Sequence, residues 1–171
     1  IKVAGLGNQW FTAPAPRLEG EYVAADIKVE DVLPWIGDSC MLEACGLGGS
    51  AAAAAPAVMR SQGLSWMDGI ERSRLTEEIT LARHESYLVP ALDYQGTPLG
   101  IDIRKVLRTG IEPVIHGGII SKSGKRLGAG VAHVPMKCFE GAIEGYAERY
   151  GLCHGQREPD HPGRECGKHL A

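Results

Sequence analysis

The sequence predicts a mixed α/β fold, and three observations carry that expectation. Short β-branched, apolar runs alternate with stretches whose apolar positions recur at helical spacing. Twenty-three glycines and ten prolines punctuate the 171 residues, as many tight turns require. Met136, Phe139, Ile143, Tyr146 and Tyr150 fall at spacings of 3, 4, 3 and 4, so they share one face of a C-terminal amphipathic helix that must pack against a sheet.

The elements follow in order. Residues 1–5, IKVAG, have strand character, and LGNQWFTAPAP after them reads as a loop because glycine, asparagine and prolines interrupt any regular pattern. EYVAADI (21–27) is a second strand. Asp38 and Ser39 can cap a short helix running through Cys45, and Gly48, Gly49 and Ser50 open a second helix over the alanines, which Pro56 kinks or ends. Residues 65–84 are charged and helix-compatible, with Met67, Ile70, Ile79 and Ala82 as the buried stripe. SYLVPALDYQG supplies a short strand and turn. Asp102 stands as N-cap to two helical turns over 103–109, and Gly110 stops them. PVIHGGIIS and GAGVAHV bracket the turn KSGKRL as a glycine-rich hairpin. The chain therefore divides into a domain over 1–150 and, from Gly151, a glycine-, proline- and charge-rich tail over 151–171 that reads as flexible because it has little to bury.

Composition narrows the function. A chain of this length with 44% apolar residues can bury a real core, and a net charge of −3 gives no electrostatic reason to expect nucleic acid. The uncharged run over 47–59 is too short, too alanine-rich and too broken by Pro56 to span a membrane. No signal-peptide pattern opens the sequence, and five irregularly spaced cysteines fit reduced thiols in a cytoplasmic protein better than a disulfide framework. The opening IKVAGLG, without methionine and with mid-strand character, leads us to expect a fragment of a larger subunit.

Several motifs bear on chemistry. GLGNQW at Gly5 starts like a dinucleotide fingerprint, but Trp10 occupies the third glycine position and prolines follow where a helix should begin. Gly48, Gly49 and Ser50 present backbone amides at a helix start, where an anion can bind; close packing of small residues explains the same pattern. Asp38 and Glu43 just before that loop could orient a substrate amide or move a proton, while capping accounts equally for Asp38 and Ser39. Arg104 beside Asp102 suits bidentate recognition of a carboxylate or phosphate, or forms an ordinary internal ion pair. His116, beside Gly117 and Gly118, reads as a structural strand histidine. Cys153, His154, His161, Cys166 and His169 match no standard zinc spacing, so no metal site is expected.

Taken in order, GLGNQWFTAP, GDSCMLEACGLGGSAAAAAPAV, LDYQGTPLGIDIRKVLRTGIEPVI and GAGVAHVPMKCFEGAIE resemble the YlbE/AllG-like family over roughly residues 1–150. The family is one subunit type of oxamate carbamoyltransferase, associated with an FdrA-like protein in allantoin (purine) catabolism. The resemblance implies that this chain is a C-terminal portion of such a subunit, taking part in the interconversion of oxalurate plus phosphate and oxamate plus carbamoyl phosphate, without an organic cofactor or metal. Its implied partners are a small-molecule substrate and FdrA-like and other carbamoyltransferase subunits. On residue types, Gly48, Gly49 and Ser50 would hold the phosphate and Arg104 the oxamate carboxylate. Asn8 and Thr12 would bond the ureido group, and Asp38 and Glu43 would orient it or shuttle a proton. A reading of a different class is a non-catalytic assembly or metabolite-sensing module that docks onto an FdrA-like partner. The turn SKSGKR is shorter than the corresponding family loop, and the tail from Leu152 departs from the family ending.

Overall fold

The computed structural model of the chain describes residues 1–37 and 40–152. The fold is mixed α/β, with five antiparallel strands in two sheets and five α-helices among the described residues. β1 (Glu19–Tyr22), β4 (Val114–Ile120) and β5 (Arg126–His133) form one sheet in the order β1-β5-β4, while β2 (Thr80–Val89) pairs with β3 (Gln95–Ile101) in a separate hairpin. The helices are α1 (Cys40–Ala44), α2 (Pro56–Ser61), α3 (Trp66–Glu78), α4 (Ile103–Thr109) and α5 (Met136–Tyr150).

The best-signalled elements form where their local chemistry is unambiguous. Asp102 accepts the Arg104 N–H as N-cap of α4, and Gly110 closes that helix at φ 71°. The β4–β5 hairpin forms around its glycine-containing turn, with Gly117 opposite Gly130. The start of α3 carries a local signal of its own. Ser65 and Asp68 make a reciprocal capping box, each side chain bonded to the other residue's backbone N–H.

Five expectations are corrected. Residues 1–5 form no strand: Gly5 and Gly7 take left-handed conformations (φ 88° and 60°), Ile1 and Phe11 exchange backbone hydrogen bonds, and Val3 accepts from Leu6 within a turn. Their apolar side chains plug a core instead, with Leu6 and Phe11 against Ala142 of α5. The second strand lies at Glu19–Tyr22 and stops before residues 23–26. The helix proposed over 65–84 ends at Glu78, because Ala82 and Arg83 pair with Leu99 and Pro98 in a ladder that overrides their helix-compatible composition. Of the proposed stripe, Ile70 and Ile79 are buried, whereas Met67 and Ala82 are exposed. The residues after Leu47 form a 3-10 helix (Gly48–Ala54) rather than an α-helix, and Pro56 starts α2 at its first turn, where its missing N–H costs nothing.

The fifth correction concerns α5, whose apolar face meets α4 and the N-terminal segment, not a sheet. Phe139 packs with Val106 and Ile79, and Ala142 with Leu6 and Phe11. A third core, Leu18, Val32, Ile119 and Ala132, lies against the three-stranded sheet. Among the described residues no helix is long and apolar enough to cross a membrane. Asp38 and Ser39, and the tail from Cys153, lie outside the described residues, and so do the readings that fall on them.

Candidate functional site

Four of the residues singled out in the sequence converge on one buried polar network. Glu43, on α1, is only 4% exposed. Its Oε2 accepts the N–H of Gly49, its Oε1 accepts the backbone N–H of His116 at 3.0 Å, and its carbonyl accepts the Ser50 hydroxyl at 3.2 Å. The amide of Gly49 therefore meets an anion, and that anion is the chain's own carboxylate. Ser50 is buried, and its carbonyl accepts from Ser73 Oγ at 3.0 Å, which pins the loop to α3.

Gly48 and Gly49 are required here by space as well as by conformation. Gly48 has φ 61°, and a Cβ on it would overlap the Glu43 carboxylate; a Cβ on Gly49 would stand 2.7 Å from Val114 Cγ2. Close packing thus accounts for both glycines, and the Gly49 amide that the anion reading left free is taken by Glu43. Burial raises the Glu43 pKa, and the two N–H donors and Arg72 pull it back only in part.

His116 extends the network to a residue that sequence reasoning missed. Arg72, half-buried on α3, places Nη1 3.1 Å from His116 Nε2 and 3.3 Å from Gln62 Oε1. A guanidinium only donates, so His116 Nε2 is the acceptor and the ring proton resides on Nδ1. Burial, and then the charge of Arg72, push the His116 pKa down to about 4, which keeps the ring neutral at pH 7. Burial likewise lowers the Arg72 pKa. No sequence signal separated Arg72 from its neighbours, since one arginine among Glu71, Arg74, Glu77 and Glu78 looks like any solvated helix face.

Arg104 belongs to different surroundings. Its Nε and Nη2 donate to the two carboxylate oxygens of Asp102 at 3.0 and 2.7 Å, the ion pair that the sequence left as the alternative. That pairing holds the Asp102 carboxyl below the ordinary carboxylate range and raises the Arg104 pKa. Asn8 is exposed and accepts from Lys2 Nζ at 3.1 Å, and Thr12 is also exposed. Their loop packs through Leu6 and Phe11 against Ile103 and Tyr146. The contacts that hold Arg104 and those that hold Ser50 share no residue.

With this geometry in view, comparison with known proteins gives a consistent result. The family model for "Oxamate carbamoyltransferase subunit AllG" matches residues 1–39. Two Escherichia coli K12 proteins are similar across most of the chain. "Uncharacterized protein YahG" is 42% identical over 154 residues, covering 89% of this chain and 32% of that protein. "Oxamate carbamoyltransferase subunit AllG" is 41% identical over 155 residues, covering 89% and 37% respectively. A crystal structure of a conserved protein of unknown function from Enterococcus faecalis V583 superposes with a TM-score of 0.82 at 37% identity, covering 86% of this chain and 36% of that one. The chain spans about a third of the length of the relatives it matches.

Proposed function

Since the chain belongs to the AllG-like family, we propose that it is part of a carbamoyltransferase subunit that interconverts oxalurate plus phosphate and oxamate plus carbamoyl phosphate in allantoin catabolism. The observation that carries this reading is the 41% identity to an oxamate carbamoyltransferase subunit over 89% of the chain. In the forward step a phosphate oxygen attacks the ureido carbonyl carbon, the bond from that carbon to the oxamate nitrogen breaks, and the proton of hydrogen phosphate ends on the leaving nitrogen. Charge is redistributed without any redox change. Fixed N–H donors and a guanidinium suffice to position the reactants and stabilise the developing oxyanion.

Within this chain the geometry supports Glu43 as the organiser of the loop at residues 48–50. A phosphate would reach the Gly49 amide by displacing the Glu43 carboxylate, whose burial makes it easier to protonate than a free glutamate. Asn8 and Thr12 are open to solvent and available to a ureido group. The enzyme works in the cytoplasm, in this reading, with FdrA-like and other carbamoyltransferase subunits completing the assembly.

A second reading is favoured by one observation. Trp66, Met67 and Leu75 on α3 and Leu81 on β2 are all exposed, 47% or more, and apolar surface of that kind marks protein contacts. An assembly module docking onto an FdrA-like partner would use it. The thermal midpoint of the chain, measured with phosphate, carbamoyl phosphate, oxamate and oxalurate, separates the two. A ligand at about 100 times its Kd stabilises the folded state by ~2.7 kcal/mol and raises the midpoint. No rise with any of the four favours docking.

A further inference from the structure

We infer that the cleft between α3 and the segment at residues 110–114 binds a small carboxylate that also carries amide or ureido N–H groups, with Arg72 taking the carboxylate. The cleft has a volume of about 530 Å³, ample for such a molecule. Arg72 lines it, and the state of this guanidinium is unusual. It is half-buried, yet among the described residues no carboxylate lies within 4.0 Å of it. Its hydrogen bonds all leave from Nη1, to the neutral His116, to Gln62 and, weakly, to Met59 Sδ at 3.7 Å. Nε and Nη2, the edge that engages a carboxylate through two parallel bonds, have no protein partner among the described residues. Asp68 and Glu43 supply favourable charge from beyond 4.0 Å, but neither takes a hydrogen bond from that edge, which is left open to a bidentate acceptor.

The rest of the lining defines what that something carries. Asp68, Glu71 and Glu112 also face the cleft, so a plain anion would be repelled there. Asp68 and Glu112 each spend one carboxylate oxygen on a backbone N–H, at Ser65 and at Met136 (2.9 Å), whereas the exposed Glu71 keeps both of its oxygens as acceptors. A ligand with a carboxylate at one end and N–H donors at the other matches an open guanidinium edge beside open carboxylate acceptors, of which Glu71 is the least engaged. Leu64 and Ile111 supply an apolar wall for its flat middle. This deepens, and rests on, the carbamoyltransferase reading for its choice of probes, since oxamate and oxalurate both have that form.

The test is a titration of the chain, labelled with nitrogen-15, with oxamate, oxalurate and acetate, following the Arg72 Nε–H signal. Oxamate or oxalurate should shift that signal saturably, acetate should bind at least ~10-fold more weakly, and Arg72→Lys should weaken oxamate binding by ~10-fold or more. If Arg72→Lys lowers the ligand-free thermal midpoint so far that it fails to fold, Glu71→Gln on the exposed rim tests the donor end alone, with an expected loss of ~3-fold or more for oxamate and none for acetate. The inference is overturned if the Arg72 signal stays still at saturation, if acetate binds as well as oxamate, or if Arg104→Gln, and not Arg72→Lys, removes binding. Carbamoyl phosphate formation by the chain assembled with its partner subunits tests the broader reading separately. Turnover that survives Arg72→Lys sinks the cleft and spares the function, whereas saturable binding at Arg72 without turnover of oxalurate does the reverse.

Discussion

Glu43 Oε1 accepts the backbone N–H of His116 at 3.0 Å and so ties α1 to β4 across 73 residues of chain. The outer edge of β4 thereby gains a partner for an N–H that no strand satisfies. Glu43→Ala leaves this N–H and that of Gly49 without an acceptor in a buried site, and the expected loss is about 3 kcal/mol. Glu43→Gln keeps one acceptor oxygen and should lose about half as much. Urea unfolding measures both; a loss under about 1 kcal/mol for the alanine variant means that water replaces the carboxylate and the clamp is dispensable.

His116 makes stability depend on pH with a definite sign. Its folded pKa is about 4, below the ordinary 6.5, so between these values the unfolded chain binds the extra proton. Stability from this group is complete above pH 6.5 and is lost as pH falls toward 4. The full shift converts to roughly 3 kcal/mol, and partial exposure of the ring reduces this to about 2. Glu43 has the opposite sign, since its raised pKa makes the folded state the better proton acceptor over its own window. Comparing the wild type with His116→Gln at pH 7 and pH 4.5 cancels that common contribution. The wild type should lose about 2 kcal/mol more than the variant on acidification, and parallel losses would show that the ring is already protonated in the fold.

The contrast between α4 and α3 shows which parts of the fold can be read from the chain. Asp102, Ile103 to Thr109 and Gly110 specify α4 through contacts within one helix, so cap, body and stop were all legible. The end of α3 was not, because Glu78 is followed by residues whose strand is decided by Leu99 and Pro98, far along the chain. The site divides in the same way. Glu43, Gly49 and Ser50 stood out since they are close in sequence and of unusual type. Arg72 became visible only when α3 was laid against His116, from a hairpin 44 residues later.

Thr97 offers a test of polar burial in the core. It is 1% exposed, and its Oγ1 has no hydrogen-bond partner among the described residues. A hydroxyl without a partner in such a site disfavours the fold. Thr97→Val keeps the shape and removes the orphan, so the variant should be more stable by up to ~1 kcal/mol. A loss of more than ~1 kcal/mol on urea unfolding would mean that the hydroxyl has a partner, such as a buried water.

Asp102 caps α4 and holds Arg104, and its two roles separate by pH. Its folded pKa is depressed, chiefly by the Arg104 side chain, so its contribution is present above the unfolded value near 3.9 and is lost as pH falls through the folded one. Asp102→Ala removes the acceptor of the Arg104 backbone N–H at 2.9 Å and should cost about 1 kcal/mol at pH 7. Arg104→Gln spares that cap, and because its guanidinium is mostly exposed it should cost less than Asp102→Ala. As pH falls below the unfolded value the difference between wild type and Asp102→Ala should shrink. If Arg104→Gln instead costs as much as Asp102→Ala at pH 7, the ion pair and not the cap holds the start of this helix, and the guanidinium is then unavailable to any ligand.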